Sequence, residues 1–252
     1  MNPREYEIMY QLEDEHWWYA ALHRRILSTL TRLRDNQDEV PWQILDAGCG
    51  TGAIAQRLQQ FGQVSAIDLS SLALQFSKRR DLDGNLGQAS VMALPLVANT
   101  FDLVVSMDVI CSVPDDQQAL AEFYRVLKPG GILMMNLPAL EWLKGQHDLA
   151  VNIVHRYTPS RLNTQLTRQG FEIEKMSFAN SLLFPLVAPY RLATNWFPTD
   201  NDGPRSDVFL PFRPINSTLA WVMQLESRLI PHFDVPIGMS LFVVARKAGE
   251  NE

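Results

Sequence analysis

Ile44-Leu45-Asp46-Ala47-Gly48-Cys49-Gly50-Thr51-Gly52 is an apolar run that passes directly into a glycine-dense turn. Glycine at 48, 50 and 52 permits left-handed backbone and removes the Cβ atoms that would hold a ligand off the main chain. Ile54, Ala55 and Leu58 then carry a helical apolar spacing, so the unpaired N–H groups of a new helix face whatever lies over the turn. A strand, a glycine turn and a helix in that order describe a cofactor seat.

Two other glycine loops are compared first. A phosphate-binding loop ends in Gly-Lys-Ser/Thr, and no lysine follows Gly52. The dinucleotide pattern G-x-G-x-x-G places its last glycine at 53, where this chain has Ala53; alanine is tolerated there in part, so a nicotinamide oxidoreductase stays open as an alternative. The string Asp46-Ala47-Gly48-Cys49-Gly50-Thr51-Gly52 resembles the first motif of the class I S-adenosylmethionine-dependent methyltransferases.

Further stretches carry the same resemblance. Val64-Ser65-Ala66-Ile67 ends in Asp68, about 20 residues beyond Asp46, the place for an acid at the tip of a second strand that accepts both ribose hydroxyls. The resemblance implies that Leu69 lies beside the adenine. Ser90-Val91-Met92-Ala93-Leu94-Pro95 resembles the adenine-binding segment, with Ser90 where the family commonly has an acid; a hydroxyl accepts more weakly than a carboxylate. Phe101 to Met107 reads as a buried parallel strand whose exit, Met107-Asp108, is expected near the reacting methyl group. Arg125-Val126-Leu127-Lys128-Pro129-Gly130-Gly131 is a structural signature of the family, closing a helix and opening a fifth strand at Ile132. The expected cofactor is S-adenosyl-L-methionine, held by Asp46, Gly48, Cys49, Gly50, Gly52, Asp68, Leu69, Ser90, Val91, Met107 and Asp108.

Alternating strands and helices predict an α/β fold, a Rossmann-like doubly wound parallel sheet. The resemblance implies seven strands, with Phe171 to Phe178 sixth and Met239 to Arg246 seventh and antiparallel. The expected organisation is one domain over 1–252. Residues 1–40 form a helical arm, 41–178 the cofactor-binding core, 179–235 a helical lid between the last two strands, and 236–252 the last strand and tail. An insertion of that length is where selectivity would reside. It is apolar and broken by proline around Leu182 to Tyr190, polar and turn-rich at Asn201 to Asp207, and helical again from Leu219 to Leu229.

Two segments are candidates for contacting the acceptor. Trp17-Trp18-Tyr19 in the arm cannot all face one way on a helix, so at least one leaves the core side; an aromatic face near a sulfonium would attract it. Past the fifth strand, Pro138-Ala139, His147-Asp148 and His155-Arg156-Tyr157-Thr158 resemble a bacterial subgroup of the family. His147, Asp148, His155 and Tyr157 are proton-handling groups and thus candidate catalytic residues, with Arg156 and the three aromatics as candidate substrate or lid contacts. The competing reading makes this loop a hydrogen-bonded brace. No metal set is assigned, since the spacing of His147, Asp148 and His155 does not define a coordination geometry.

The net charge of -6 argues against nucleic acid as the main partner. Two cysteines, Cys49 and Cys111, make neither a zinc pattern nor a disulfide framework. The polar start Met1-Asn2-Pro3-Arg4-Glu5 and the lack of a run of roughly 20 apolar residues predict neither a signal peptide nor a membrane span, hence a cytoplasmic protein. The expected function is in-line methyl transfer to a small, apolar or lipid-like acceptor, by a monomer or homodimer with scope for peripheral membrane contact. A non-catalytic module that binds the same cofactor is the other alternative.

Overall fold

The computed structural model describes residues 3–34, 40–82, 85–196, 210–230 and 232–249. Two helices come first, α1 (Pro3–Leu12) and α2 (Trp17–Arg34), then β1 (Trp42–Ala47), α3 (Ala53–Leu58), β2 (Gly62–Asp68), α4 (Ser71–Ser77) and β3 (Leu86–Gln88). They are followed by β4 (Phe101–Met107), α5 (Asp116–Val126), β5 (Leu127–Pro138), the short α6 (Gln146–Ala150), α7 (Pro159–Arg168) and β6 (Phe171–Ala179). Helices α8 (Phe184–Trp196) and α9 (Arg213–Leu229) precede β7 (Ser240–Lys247).

The strands form one sheet in the order β3-β2-β1-β4-β5-β7-β6. The first five are parallel, and β7 runs antiparallel between β5 and β6. Chain order reverses between β1 and β4, and a crevice beyond the carboxyl ends of strands at such a switch point is where open α/β sheets bind ligands. The seven strands and the antiparallel last one agree with the sequence expectation.

Pleating divides the apolar residues between two layers. Val104, Leu133, Met135 and Val243 pack on one face with Leu120 and Phe123 of α5 and Leu162 and Leu166 of α7. Leu103, Val105, Met134 and Val244 face the other way, against Leu22, Ile26 and Leu30 of α2. Buried on both sides, β1, β4 and β5 are apolar almost throughout, which is why the polar residues in them stand out.

Local signals set most boundaries. Ser70 and Asp115 cap α4 and α5 by accepting from the amides of Ala73 and Gln118, and Thr158 caps α7 just before Pro159. One boundary differs from expectation. The fifth strand starts at Leu127 rather than Ile132, because Leu127 already pairs with Phe101 and a bulge absorbs the glycines. Past Ser77 the α4 helix tightens into a 3₁₀ turn over Lys78–Arg80. The predicted loop Asn201 to Asp207 lies outside the described residues. No helix among the described residues is long and apolar enough to cross a membrane.

Candidate functional site

The glycine turn hangs from the tip of β1. Gly48, Gly50 and Gly52 have φ of 87°, 54° and 86°. A Cβ on Gly48 would come within 2.3 Å of the Val109 side chain, and one on Gly50 within 2.6 Å of the Met9 methyl. The turn is therefore a main-chain cradle that side chains cannot enter from its own residues.

Its acids converge. Asp68, at the tip of β2, accepts from the Gly50 amide through Oδ2 at 2.9 Å and from the Ser70 amide through Oδ1 at 2.8 Å. Burial pushes its carboxyl up while those amides oppose the shift. A carboxylate offers about four acceptor positions, so it retains capacity to accept from a ligand. Asp46 is almost fully buried, and its Oδ2 has no hydrogen-bond partner among the described residues. Burial, with the charge of Asp68 added, pushes Asp46 up to about 7. An orphaned buried carboxyl oxygen beside a glycine cradle fits a polar ligand bound there, which would compensate it.

Helix α1 lies over this cradle. The Met9 methyl sits against Gly50, and Tyr6 is close enough to Asp68 that burial first and that carboxylate second hold its phenol up. Beyond α1, Glu13 bonds the Thr51 hydroxyl and pairs with Arg80 at 2.8 Å; Asp14 pairs with Arg80 at 2.9 Å and Arg57 at 2.8 Å. Tyr10 packs on Phe76 with ring centres 4.9 Å apart. The arm thus reaches the cradle itself, and its charged residues latch it to α3 and to the segment after α4.

Trp17, Trp18 and Tyr19 fan outward, as their succession on a helix requires. Trp17 packs with Leu183, Met223 and Leu219 of the segment between β6 and β7. Trp18 joins the main core under α2. Tyr19 faces the acids: burial, then Glu13, then Asp108, raise its phenol.

At the other strand tips, Leu69 is largely exposed and Val91 is buried. Ser90 turns its hydroxyl to the Met92 amide at 3.2 Å. Cys49 is buried, and burial with Asp46 behind it pushes its thiol up, so it is not a thiolate. Met107 is part-buried, and Asp108 beyond it has a left-handed φ of 56°. Both carboxylate oxygens of Asp108 accept from Nδ2 of Asn136 at 3.1 Å.

The loop after β5 departs from the catalytic expectation. Asp148 is fully buried in a two-pronged pair with Arg156, at 2.7 and 2.8 Å, and Arg156 also donates to the Ala139 carbonyl at 2.7 Å. Tyr157 is fully buried; its hydroxyl donates to Asp116 at 3.0 Å, and burial followed by Asp116 pushes the phenol up. Asp148, Arg156 and Tyr157 are thus engaged by the protein as a brace. His155 stays part-buried, its amide donating to Cys111 at 3.0 Å. The His147 side chain lies outside the described residues.

Sequence reasoning assigned no role to Met9, Arg25, Asn136, Asn180 or Glu226. A signal existed for two of them. Arg25 interrupts the apolar face of α2, and Asn136 interrupts a fully buried strand.

Residues 45–135 match the family model described as a methyltransferase domain. Over that stretch the chain is similar to methyltransferase domains. The methyltransferase match covers the glycine turn and both flanking strand tips. Over 102 residues the chain is 37% identical to malonyl-[acyl-carrier protein] O-methyltransferase of Enterobacter lignolyticus, covering 40% of this chain and 41% of that protein. Over 101 residues it is 39% identical to demethylmenaquinone methyltransferase of Lactiplantibacillus plantarum, covering 36% and 43%. The chain thus spans less than half the length of these two curated relatives. The fold is similar to the crystal structure of the [4+2]-cyclase SpnF, with a TM-score of 0.57 and 23% identity over 89% of this chain and 81% of that one. The architecture is shared with a cyclase, so the site rather than the fold bears on function.

Proposed function

We propose that this chain binds S-adenosyl-L-methionine across the tips of β1, β2 and β4 and moves its methyl group to a small-molecule acceptor. The observation that carries this reading is the glycine cradle with the Asp68 carboxylate locked onto the Gly50 amide and acceptor capacity to spare. The donor supplies an activated methyl on a sulfonium centre. In this reading Asp68 takes the ribose hydroxyls, the amides of residues 48 to 52 and Asp46 hold the amino-acid end, and Leu69, Ser90 and Val91 border the adenine. The protein's contribution is chiefly alignment: fixing two reactants in line is worth about 7 to 11 kcal/mol of barrier.

Helices α8 and α9, with the arm, form the proposed lid over the acceptor. Leu182, Leu186 and Leu192 leave apolar surface exposed there, as do Phe212, Ile215 and Trp221. An apolar or lipid-like acceptor fits that surface, and so does peripheral contact with a bilayer. One relative's name, that of a demethylmenaquinone methyltransferase, supports an apolar acceptor, whereas the other names a malonyl group on a carrier protein.

Titration calorimetry with S-adenosylmethionine, S-adenosylhomocysteine and NADH tests the cofactor. Incubation with methyl-labelled donor and a cell extract, followed by fractionation, tests transfer. Binding of the first two ligands and label in a small organic product are expected. Donor binding without labelled product would favour a regulatory module, and NADH binding alone would overturn the reading.

A further inference from the structure

A buried polar chain crosses the carboxyl edge of the sheet and ends at Asp108. Arg25 of α2 is 1% exposed. Its guanidinium donates to Oδ1 of Asn136 and to Oδ1 of Asn180, each at 3.3 Å, and lies 3.8 Å from Glu226 of α9. Asn136 carries the connection on to both oxygens of Asp108. Glu226 in turn accepts from the amides of Ser181 and Leu182 at 2.7 and 2.9 Å. Arg25, Asn136, Asn180 and Glu226 are all buried, while Asp108 keeps partial exposure.

Such an arrangement is costly unless it serves a purpose, because each buried ion loses several kcal/mol of hydration. Packing does not require it: Phe242 lies beneath the guanidinium at 5.8 Å and the neighbours of Asn136 in β5 are apolar. What the chain achieves is to hold one carboxylate, with a chosen orientation and ionisation, at the tip of β4.

We propose that Asp108 is the charge-reading group of the methyl subsite, distinguishing the cationic sulfonium donor from its neutral thioether product, and that Arg25 and Glu226 are positioning residues that tune it. This rests on the donor assignment above. A carboxylate attracts the sulfonium and gains nothing from the thioether, so loss of the methyl group removes the attraction and favours product release.

The ionisation of Asp108 is poised for this. Burial pushes its carboxyl up to about 7, while the Asn136 bond and the charges of Arg25 and Arg156 pull it back. The other titratable neighbours are Tyr19 of α2, whose phenol is held up partly by Asp108, and Cys111, whose thiol donates to the Asp108 carbonyl at 3.1 Å. Neither is charged near neutral pH, since burial pushes both up. A cation favours the ionised carboxyl, so donor binding releases a proton from Asp108 and donor affinity climbs with pH until the free carboxyl is ionised. Product affinity lacks that component.

The test uses S-adenosylmethionine and S-adenosylhomocysteine as calorimetric probes on the full chain at pH 5.5 and pH 8. The ratio of donor to product affinity should rise about tenfold in the wild type relative to Asp108→Asn; dividing by the variant cancels the ligands' own titrations. In the wild type alone, two buffers of different ionisation enthalpy should reveal that the donor releases roughly half a proton more than the product at pH 7. Glu226→Gln leaves Arg25 less compensated and should move the transition to lower pH, whereas Arg25→Met should move it higher. Opposite displacements are not produced by mere loss of packing, and Glu226→Gln alone decides the point should the Arg25 variant not fold. Equal proton release with both ligands, or a ratio that Asp108→Asn leaves unchanged, overturns the proposal. Binding of neither ligand instead sinks the donor assignment beneath it.

Discussion

The Gly50 amide donates to Oδ2 of Asp68 across 2.9 Å, tying the turn after β1 to the tip of β2. Each residue fixes the other: the bond holds a left-handed glycine in place, and the amide orients the carboxylate towards the crevice. The proposed ribose site is accordingly made of two strands and is not the property of either.

Asp68→Ala should weaken S-adenosylmethionine binding by about 1.5 to 3 kcal/mol, since charge-assisted bonds to both ribose hydroxyls disappear. Equilibrium dialysis with labelled donor measures this. A dissociation constant within twofold of wild type would remove Asp68 from the ribose role.

The arm is expected to control access. Glu13 is buried against Thr51 and Arg80, whereas Asp14 is half-exposed at its ion pairs. Glu13→Gln should therefore destabilise by about 1 to 3 kcal/mol and Asp14→Asn by less than about 1 kcal/mol. Met9→Ala should speed donor association in stopped-flow measurements by taking a methyl away from Gly50. Identical association rates in wild type and Met9→Ala would mean that the arm is no gate.

The brace after β5 should show itself as stability. Arg156→Met removes the two-pronged partner of buried Asp148 and leaves the Arg191 guanidinium, 3.8 Å away, to compensate it, and should cost about 3 kcal/mol in urea unfolding. Adding Asp148→Leu to that variant should recover most of the loss, because no uncompensated charge remains. A double variant as unstable as the single one would contradict the pairing seen here.

His23 gives a pH dependence with a definite sign. Burial chiefly, with the positive charge of Arg57 added, lowers it from 6.5 to about 3. The unfolded chain therefore takes up this proton first as pH falls, so the stability linked to neutral His23 is complete above about 6.5 and is lost progressively towards 3. At pH 5.5 the loss should be on the order of 1 kcal/mol. Asp46 and Asp108 are shifted upward and act in the opposite direction over this range. The measurement is consequently the difference between wild type and His23→Gln, followed by chemical unfolding at pH 7.5 and 5.5. A difference that does not change with pH would show that folding leaves the His23 pKa unshifted.

The sheet was legible because its signals are local. A strand that enters three glycines, an acid at the next strand tip, a Phe-Asp strand opening and a Pro-Gly-Gly helix stop each declare an element by its own residues, and their order leaves few topologies. The aromatic triplet was readable for the same reason: three successive residues on a helix point about 100° apart, and Trp17, Trp18 and Tyr19 do so.

In the proton-handling loop, residue type does not reveal what a side chain faces. Asp148 and Tyr157 have the chemistry of a base, but burial against Arg156 and Asp116 engages them within the brace. The polar chain from Glu226 to Asp108 was hidden for the complementary reason. Its members lie in α9, α2, β5 and the turns after β6 and β4, far apart in sequence, and nothing local marks them as neighbours.

By itself, then, the amino-acid sequence determined the succession of strands and helices, the glycine cradle and the acid at β2, since hydrophobic period, left-handed glycines and helix stops act within a few residues. Only the tertiary structure decided which carboxylates stand at the glycine turn and which meet an arginine. Burial and charge pairing depend on distance in space, and it is folding that brings Arg25 to Asn136 and Arg156 to Asp148.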